Sequence, residues 1–293
     1  MRFGIIGGGS WATALAKILT DRKHSINWWM RNAGIIEHIQ GHGYNPNYLS
    51  TAKFDTSFLS MTTDVAEVVK KSETLIIAVP SAFAEESLST LKAEQWKGKK
   101  VVSAIKGLLP GKNILLNYYL QQQFNISLEN YFAVLGPCHA EEVAAEKLSY
   151  LTFSGTDSTT AAEIASHFTT EYINTIVNHD ILGVQYAAVL KNIYALGAGI
   201  AHGLNYGDNF LSVYIANAAD EMAGFLKKFG VKHITVGEHE GEDPVTHRKT
   251  PNYAASVYLG DLLVTCYSLF SRNRTFGAMI GKGYSVKSAQ LEM

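Results

Sequence analysis

The chain has 293 residues, 47% of them hydrophobic and 17% charged, which is enough apolar material for a large core and enough length for two domains. Lys and Arg total 25 against 26 Asp and Glu; a net charge of −1 excludes a global field that would attract nucleic acid or an anionic membrane, so any basic site must be local. Two cysteines, Cys138 and Cys266, exclude a disulfide framework, and no CxxC spacing points to zinc.

In chain order, RFGII predicts a strand and WATALAKILT a helix. SINWWMR, TLIIAVP, KVVSAIKG and YFAVLGP predict further strands, with helices over DVAEVVKK, AFAEESLSTLKA and NILLNYYLQQQF between them. YLTFSG and INTIVN follow as two strands around the helix TAAEIASHF. Continuous apolar strands are buried on both faces, the mark of a parallel sheet covered by helices. From Asp180 onward long helical patterns take over: ILGVQYAAVLKNIYALGAGIAHGL, NFLSVYIANAADEMAGFLKKF and YLGDLLVTCYSLF. The polar, turn-rich VGEHEGEDPVTHRKTPNY predicts a loop. The most apolar stretch, VQYAAVLKNIYALGAGIA, carries Lys191 and Asn192 in its middle and reads as a core helix, not a membrane span. The first residues enter a strand directly, with no secretion signal, so the expected location is cytoplasmic.

The first strand runs into GGGSWATALA, where Gly7, Gly9 and Ala12 match G-x-G-x-x-G/A between a strand and a helix. Gly7 permits the tight turn, Gly9 lets a pyrophosphate approach the backbone, Ala12 lets helix and strand pack closely, and the helix N-terminus offers free N–H groups to the phosphates. At the end of the second strand, where an acidic residue would hold the ribose of NAD, stands Arg31. An arginine suits a 2′-phosphate and favours NADP over NAD, although stacking on adenine would serve either cofactor. The expected fold class is therefore α/β, with a Rossmann-like parallel-sheet N-terminal domain over 1–178 and an all-helical C-terminal domain over 179–293.

Lys191 has small neighbours at helical spacing, Ala187, Ala188, Ala195 and Ala198, which leaves room beside it for a ligand. Burial would lower the pKa of such a lysine towards the range useful for proton transfer; the alternative is a lysine snorkelling to solvent. His139 beside Cys138, followed by Glu141 and Glu142, does not make a metal set, because adjacent residues at a helix start diverge in direction.

Taken together, GGGSWATALA, AVPS, SAIKGL, GPCHAEEVA, AAVLKNIYALGAGIAHGLNYGDN and GDLLVTCYSLFSRNRTFG with GKG after it resemble the bacterial NAD(P)-dependent glycerol-3-phosphate dehydrogenase family over nearly the whole chain. The resemblance implies reversible reduction of dihydroxyacetone phosphate to sn-glycerol 3-phosphate for phospholipid synthesis. It also implies a phosphate substrate held in a cleft between the domains, and a homodimer formed through the helical domain. In VLKN, Lys191 matches the catalytic proton donor and acceptor, with Asn192 near substrate. Lys106 in SAIKG resembles the second active-site lysine, touching substrate and cofactor, and Asp261 in GDL resembles the carboxylate that contacts substrate and the catalytic lysine, with Thr265 one turn on. Ser271, Arg272 and Asn273 match the group that grips the substrate phosphate, Arg272 also lying beside the cofactor. Ser10 and Trp11 match cofactor contacts, and Gly136 and Ala140 match positions of the family's GPSxA segment, on the substrate and cofactor sides respectively.

The chain departs from that pattern in four places. Cys138 stands where GPSxA has serine, and Ala216, Asn217 and Ala218 stand where a T-R-G triplet is usual. TPNYAASVY replaces GLAGL before Asp261, and the sequence ends at GYSVKSAQLEM, where the family continues with a VxEG segment and a helix that supply an acidic cofactor contact. Two other functions are consistent with the same residues: a reductase of another small keto compound, or a catalytically silent NAD(P) sensor.

Overall fold

The computed structural model describes residues 1–229 and 256–293, which form two compact units, Met1–Ile181 and Leu182–Met293. The turn-rich segment 236–253, read above as a loop, lies outside the described residues.

The first unit alternates strands and helices: β1 (Phe3–Ile6), α1 (Ser10–Asp21), β2 (Ile26–Trp29), α2 (Ala33–His42), β3 (Leu59–Thr62), α3 (Val65–Lys71), β4 (Thr74–Ile77), α4 (Ser81–Leu88), β5 (Lys100–Ser103), α5 (Leu116–Phe124), β6 (Tyr131–Leu135), α6 (Ala140–Ala144), β7 (Ser149–Ser154), α7 (Ser158–Ser166) and β8 (Ile173–Asn178). The eight strands form one sheet in the order β3-β2-β1-β4-β5-β6-β7-β8. All neighbours are parallel except β6 and β7. Every residue of β1, β4 and β6 is buried, as continuous apolar runs require when helices cover both faces. The core is built on Phe3, Trp28, Phe132, Phe153 and Phe168. From β1 the chain order runs outward in both directions, to β2 and to β4, so β1 and β4 flank the switch point, whose carboxyl ends form the crevice used for ligands in such sheets.

Local chemistry explains the helix boundaries. Asn32 caps α2 by accepting from the Gly34 N–H at 2.8 Å, and Gly43 ends that helix in the left-handed region. Asp64 caps α3 in the same way at 2.9 Å, with Lys70 and Lys71 in the last turn to complement the dipole. Two predicted helices are shorter than their patterns: α4 stops at Leu88 and α5 begins only at Leu116, after the bridge between Leu109 and Ile114.

The second unit is helical: α8 (Ile181–Gly203), α9 (Gly207–Lys228), α10 (Leu259–Tyr267), α11 (Arg272–Gly281) and α12 (Val286–Glu292), with Ile181, the first residue of α8, counted in the first unit. By length and composition α8 could cross a membrane, but more than half of its most apolar window is buried within the protein. Gly199 and Gly203 of α8 meet the backbone of α11 at Arg274, Ala278 and Gly281, and a methyl group at either glycine would clash with it. The Tyr214 hydroxyl donates to the Tyr194 carbonyl at 3.0 Å and joins α9 to α8.

Candidate active site

In the first unit the matched residues gather on the carboxyl ends of the strands. Gly7, directly after β1, has φ of +137°, and a Cβ there would sit 2.5 Å from the Ala78 carbonyl at the end of β4, so only glycine fits. Gly9 is different: its φ of −81° suits any residue, and a Cβ would meet nothing within 4 Å. Its missing side chain serves neither the backbone nor the packing; it leaves space at the N-terminus of α1, which fits the approach of a pyrophosphate. Ala12 is fully buried and brings α1 onto the sheet. Ser10 and Trp11 open α1, both half-buried.

Lys106, past the end of β5, holds its Nζ 5.5 Å from the centroid of the Trp11 ring, a cation–π contact that ties two of the matched positions together. Arg31, exposed past the end of β2, lies over the Phe83 ring at 5.9 Å. No carboxylate stands beside it in the sequence, where Met30 and Asn32 are the neighbours. Gly136 follows β6, and Ala140 is buried at the start of α6, which packs beside α1. Cys138, in the family's serine position, is buried and forms no disulfide among the described residues, and the same holds for Cys266.

The second unit brings Lys191 and Asp261 together. Lys191 lies in the middle of α8, 3% exposed, and its ammonium donates to Oδ2 of Asp261, itself 2% exposed in the first turn of α10. A lysine snorkelling to solvent is thereby excluded, and Asp261 is not merely a charge that complements the helix dipole. Desolvating one of these charges alone would be costly; the partner offsets it. The Thr265 hydroxyl donates to the Asp261 carbonyl at 2.6 Å, one turn away as the spacing requires. Burial pushes the Cys266 thiol up to about 11, with the positive charges of Arg274 and Lys191 acting in the opposite direction. Asn192, adjacent to Lys191, is half-buried.

One expectation needs correction. Ala187, Ala188, Ala195 and Ala198 do not leave open room: all four are 2% exposed or less. The small residues of α8 let neighbouring helices approach, as Gly199 and Gly203 do against α11.

Ser271 caps α11, its hydroxyl accepting from the Arg274 N–H at 3.3 Å. Arg272 and Asn273 are exposed on the first turn that follows, and Arg272 donates to the Met293 carbonyl at 3.3 Å. The sequence reading missed Arg274, which is 8% exposed and whose Nε has no partner among the described residues. Its neighbours in SRNR give no sign of which arginine faces inward; the i+3 spacing from the cap is the only signal. His38 and His42, spaced i, i+4 in α2, also escape that reading; their rings stack with centroids 4.2 Å apart, and among the described residues no three ligand-type side chains gather as a metal site.

Comparison with known proteins finds relatives over nearly the whole chain. The chain is 33% identical to glycerol-3-phosphate dehydrogenase [NAD(P)+] of Bacillus subtilis (strain 168) over 290 residues, covering 99% of this chain and 79% of that protein. It is also 33% identical to the enzyme of the same name from Thermoanaerobacter sp. (strain X514), covering 100% and 82%. The crystal structure of glycerol-3-phosphate dehydrogenase from Coxiella burnetii superposes with a TM-score of 0.86 at 26% identity, over 99% of this chain and 83% of that one. The family models for the N-terminus and the C-terminus of NAD-dependent glycerol-3-phosphate dehydrogenase match residues 2–162 and 180–293. With both halves matched in order, the chain belongs to the NAD-dependent glycerol-3-phosphate dehydrogenase family.

Proposed function

We propose that this protein reversibly interconverts dihydroxyacetone phosphate and sn-glycerol 3-phosphate, with the first unit binding NAD(P) and the second supplying proton chemistry and phosphate binding. The observation that carries the reading is the buried Lys191–Asp261 pair. A nicotinamide cofactor, when bound, supplies or accepts the hydride at C2 of the substrate. In reduction the C2 oxygen gains negative charge as the carbonyl is lost, and the Lys191 ammonium donates a proton to it; in oxidation the neutral amine takes the hydroxyl proton. Asp261 fixes the position of Nζ and keeps the ammonium from being an isolated buried charge. Lys106 is assigned to substrate and cofactor, and Asn192, Gly136 and Thr265 to the substrate. Gly7, Gly9, Ser10, Trp11, Ala140 and Arg31 are assigned to the cofactor.

Ser271, Arg272 and Asn273 hold the substrate phosphate: the exposed guanidinium of Arg272 can give two parallel hydrogen bonds to an oxyanion, and the first turn of α11 adds N–H groups with the positive end of its dipole. Arg31 without an acidic neighbour supports NADP as the preferred cofactor, with NAD accepted. A cytoplasmic homodimer acting in phospholipid synthesis completes the reading, supported by exposed apolar side chains on the second unit such as Val213 and Leu269.

The test follows NADH and NADPH oxidation with dihydroxyacetone phosphate in the wild type and in Lys191→Ala. The expected loss of kcat is about 10²- to 10⁴-fold, the range for removing a positioned general acid. Equal turnover in the two proteins would remove Lys191 from the mechanism.

A further inference from the structure

In the Gly7–Gly8–Gly9 run every carbonyl accepts a hydrogen bond from within the fold. Trp28 Nε1 donates to the Gly7 carbonyl at 2.7 Å, Asn45 Nδ2 donates to the Gly8 carbonyl at 3.2 Å, and Thr13 reaches the Gly9 carbonyl with both its backbone N–H and its hydroxyl, each at 2.9 Å. Asn45 is fully buried, and the same Nδ2 also donates to Thr13 Oγ1 at 2.9 Å. Its Oδ1 accepts from the Asn47 N–H at 3.1 Å, which fixes the amide plane. A single side chain from the segment between α2 and β3 thus supports two successive loop carbonyls, one directly and one through the Thr13 hydroxyl.

The consequence follows from peptide geometry. In a trans peptide the C=O and the following N–H lie on opposite sides of the chain. Carbonyls turned towards Trp28, Asn45 and Thr13 therefore turn the N–H groups of Gly8, Gly9 and Ser10 the other way, and none of those three donors has an acceptor among the described residues. Successive N–H groups facing one side make a concave anion-binding surface, here continuous with the N-terminus of α1 and with the side-chain-free space at Gly9.

We propose that Asn45 is a positioning residue for the dinucleotide: it locks the glycine loop, through the Gly8 carbonyl and the Thr13 hydroxyl, with its N–H groups already aimed at the pyrophosphate. The inference rests on the assignment of that loop to NAD(P). Its energetic content is preorganisation, because a loop that must be ordered during binding costs affinity. Asn45 touches neither cofactor nor substrate in this role, so it acts on cofactor affinity and leaves the chemical step alone.

Fluorescence titration of the full-length protein with NADH and NADPH, together with steady-state kinetics, tests this. Asn45→Leu keeps the approximate volume and removes both donors. It is expected to weaken NAD(P)H binding about 10- to 100-fold and to raise the KM for the nucleotide in parallel, as the loss of one bond to a loop carbonyl and one to the hydroxyl that supports the next implies. The kcat at saturating nucleotide and the KM for dihydroxyacetone phosphate should stay near wild type. A variant that melts earlier but binds the nucleotide with wild-type affinity would show a packing role only and overturn the proposal. Should Asn45→Leu fail to fold, Thr13→Val and Thr13→Ser decide: weakened nucleotide binding in the valine variant alone supports the relay, whereas equal affinities in both refute it. Wild-type protein that binds neither nucleotide would instead overturn the cofactor assignment itself, an outcome distinct from loss of the Asn45 inference.

Discussion

Lys191 and Asp261 are individually ordinary residues on amphipathic helices; what sets them apart is that both charges are buried and each is the other's partner. Removing one member strands the other in a low-dielectric interior. Asp261→Leu is therefore expected to destabilise the protein by about 3–5 kcal/mol, and the double variant Lys191→Met with Asp261→Leu to recover most of that loss, since an apolar pair of similar volume substitutes well for a buried ion pair. Urea denaturation of the three proteins measures this, and a double variant as unstable as the single would show that the cost lies in packing. The pairing was legible in the sequence only through the resemblance: 70 positions separate the two residues, and no local pattern links them. Asn45 was not legible at all. Its partners, Gly8 and Thr13, lie 37 and 32 residues away, and no local pattern links them to it. Trp28 is fully buried in the core, and its indole N–H also holds the Gly7 carbonyl.

Among elements, the sequence revealed those whose burial is periodic or continuous. The seven apolar strands and the long helices α8 and α9 appear where their patterns put them. β3 escaped because LSMT is a short strand at the sheet edge, none of it fully buried, so it carries no apolar run. α2 also escaped, despite the Asn32 cap and the isoleucine spacing at Ile35, Ile36 and Ile39, and α11 escaped because its first turn is polar. The antiparallel pairing of β7 with β6 had no signal, since strand direction is set by the crossover and not by composition.

A contact between elements brings a pH dependence. His24, between α1 and β2, and His167, just past α7, approach to 3.2 Å through Nε2 and Nδ1, each ring also edge-on to Phe3. Burial lowers both pKa values below 6.5; the charge of His167 and that of Arg22 lower His24 further, and the terminal amine and Arg22 do the same to His167 against an opposing effect of Glu163. With folded pKa values depressed, the unfolded chain takes up protons first, so the stability is fully present above about 6.5 and is lost as the pH falls through the folded values. Thermal melts between pH 7 and pH 5 should show a smaller drop in Tm for His24→Gln than for the wild type. An unchanged drop would show that the pair contributes nothing to the acid response.

For the molecule as a whole, a near-neutral chain carries the cations proposed for function locally: Arg31 and Lys106 in the first unit, Lys191 and Arg272 in the second. Neutral overall charge with local basic groups suits a small anionic substrate and an anionic cofactor, not a polyanion. Fold class was legible from the alternation of patterns before Asp180 and its loss afterwards, because a parallel sheet and a helical unit impose different periodicities on the chain.

The central claim is that the Lys191 amine carries the proton, and amine rescue of Lys191→Ala tests it most directly. Added ammonium or methylamine should restore dihydroxyacetone phosphate reduction in proportion to its concentration and leave the wild type unaffected. A folded Lys191→Ala protein that binds nucleotide yet shows no amine dependence at any pH, or one that turns over at the wild-type rate unaided, would contradict it.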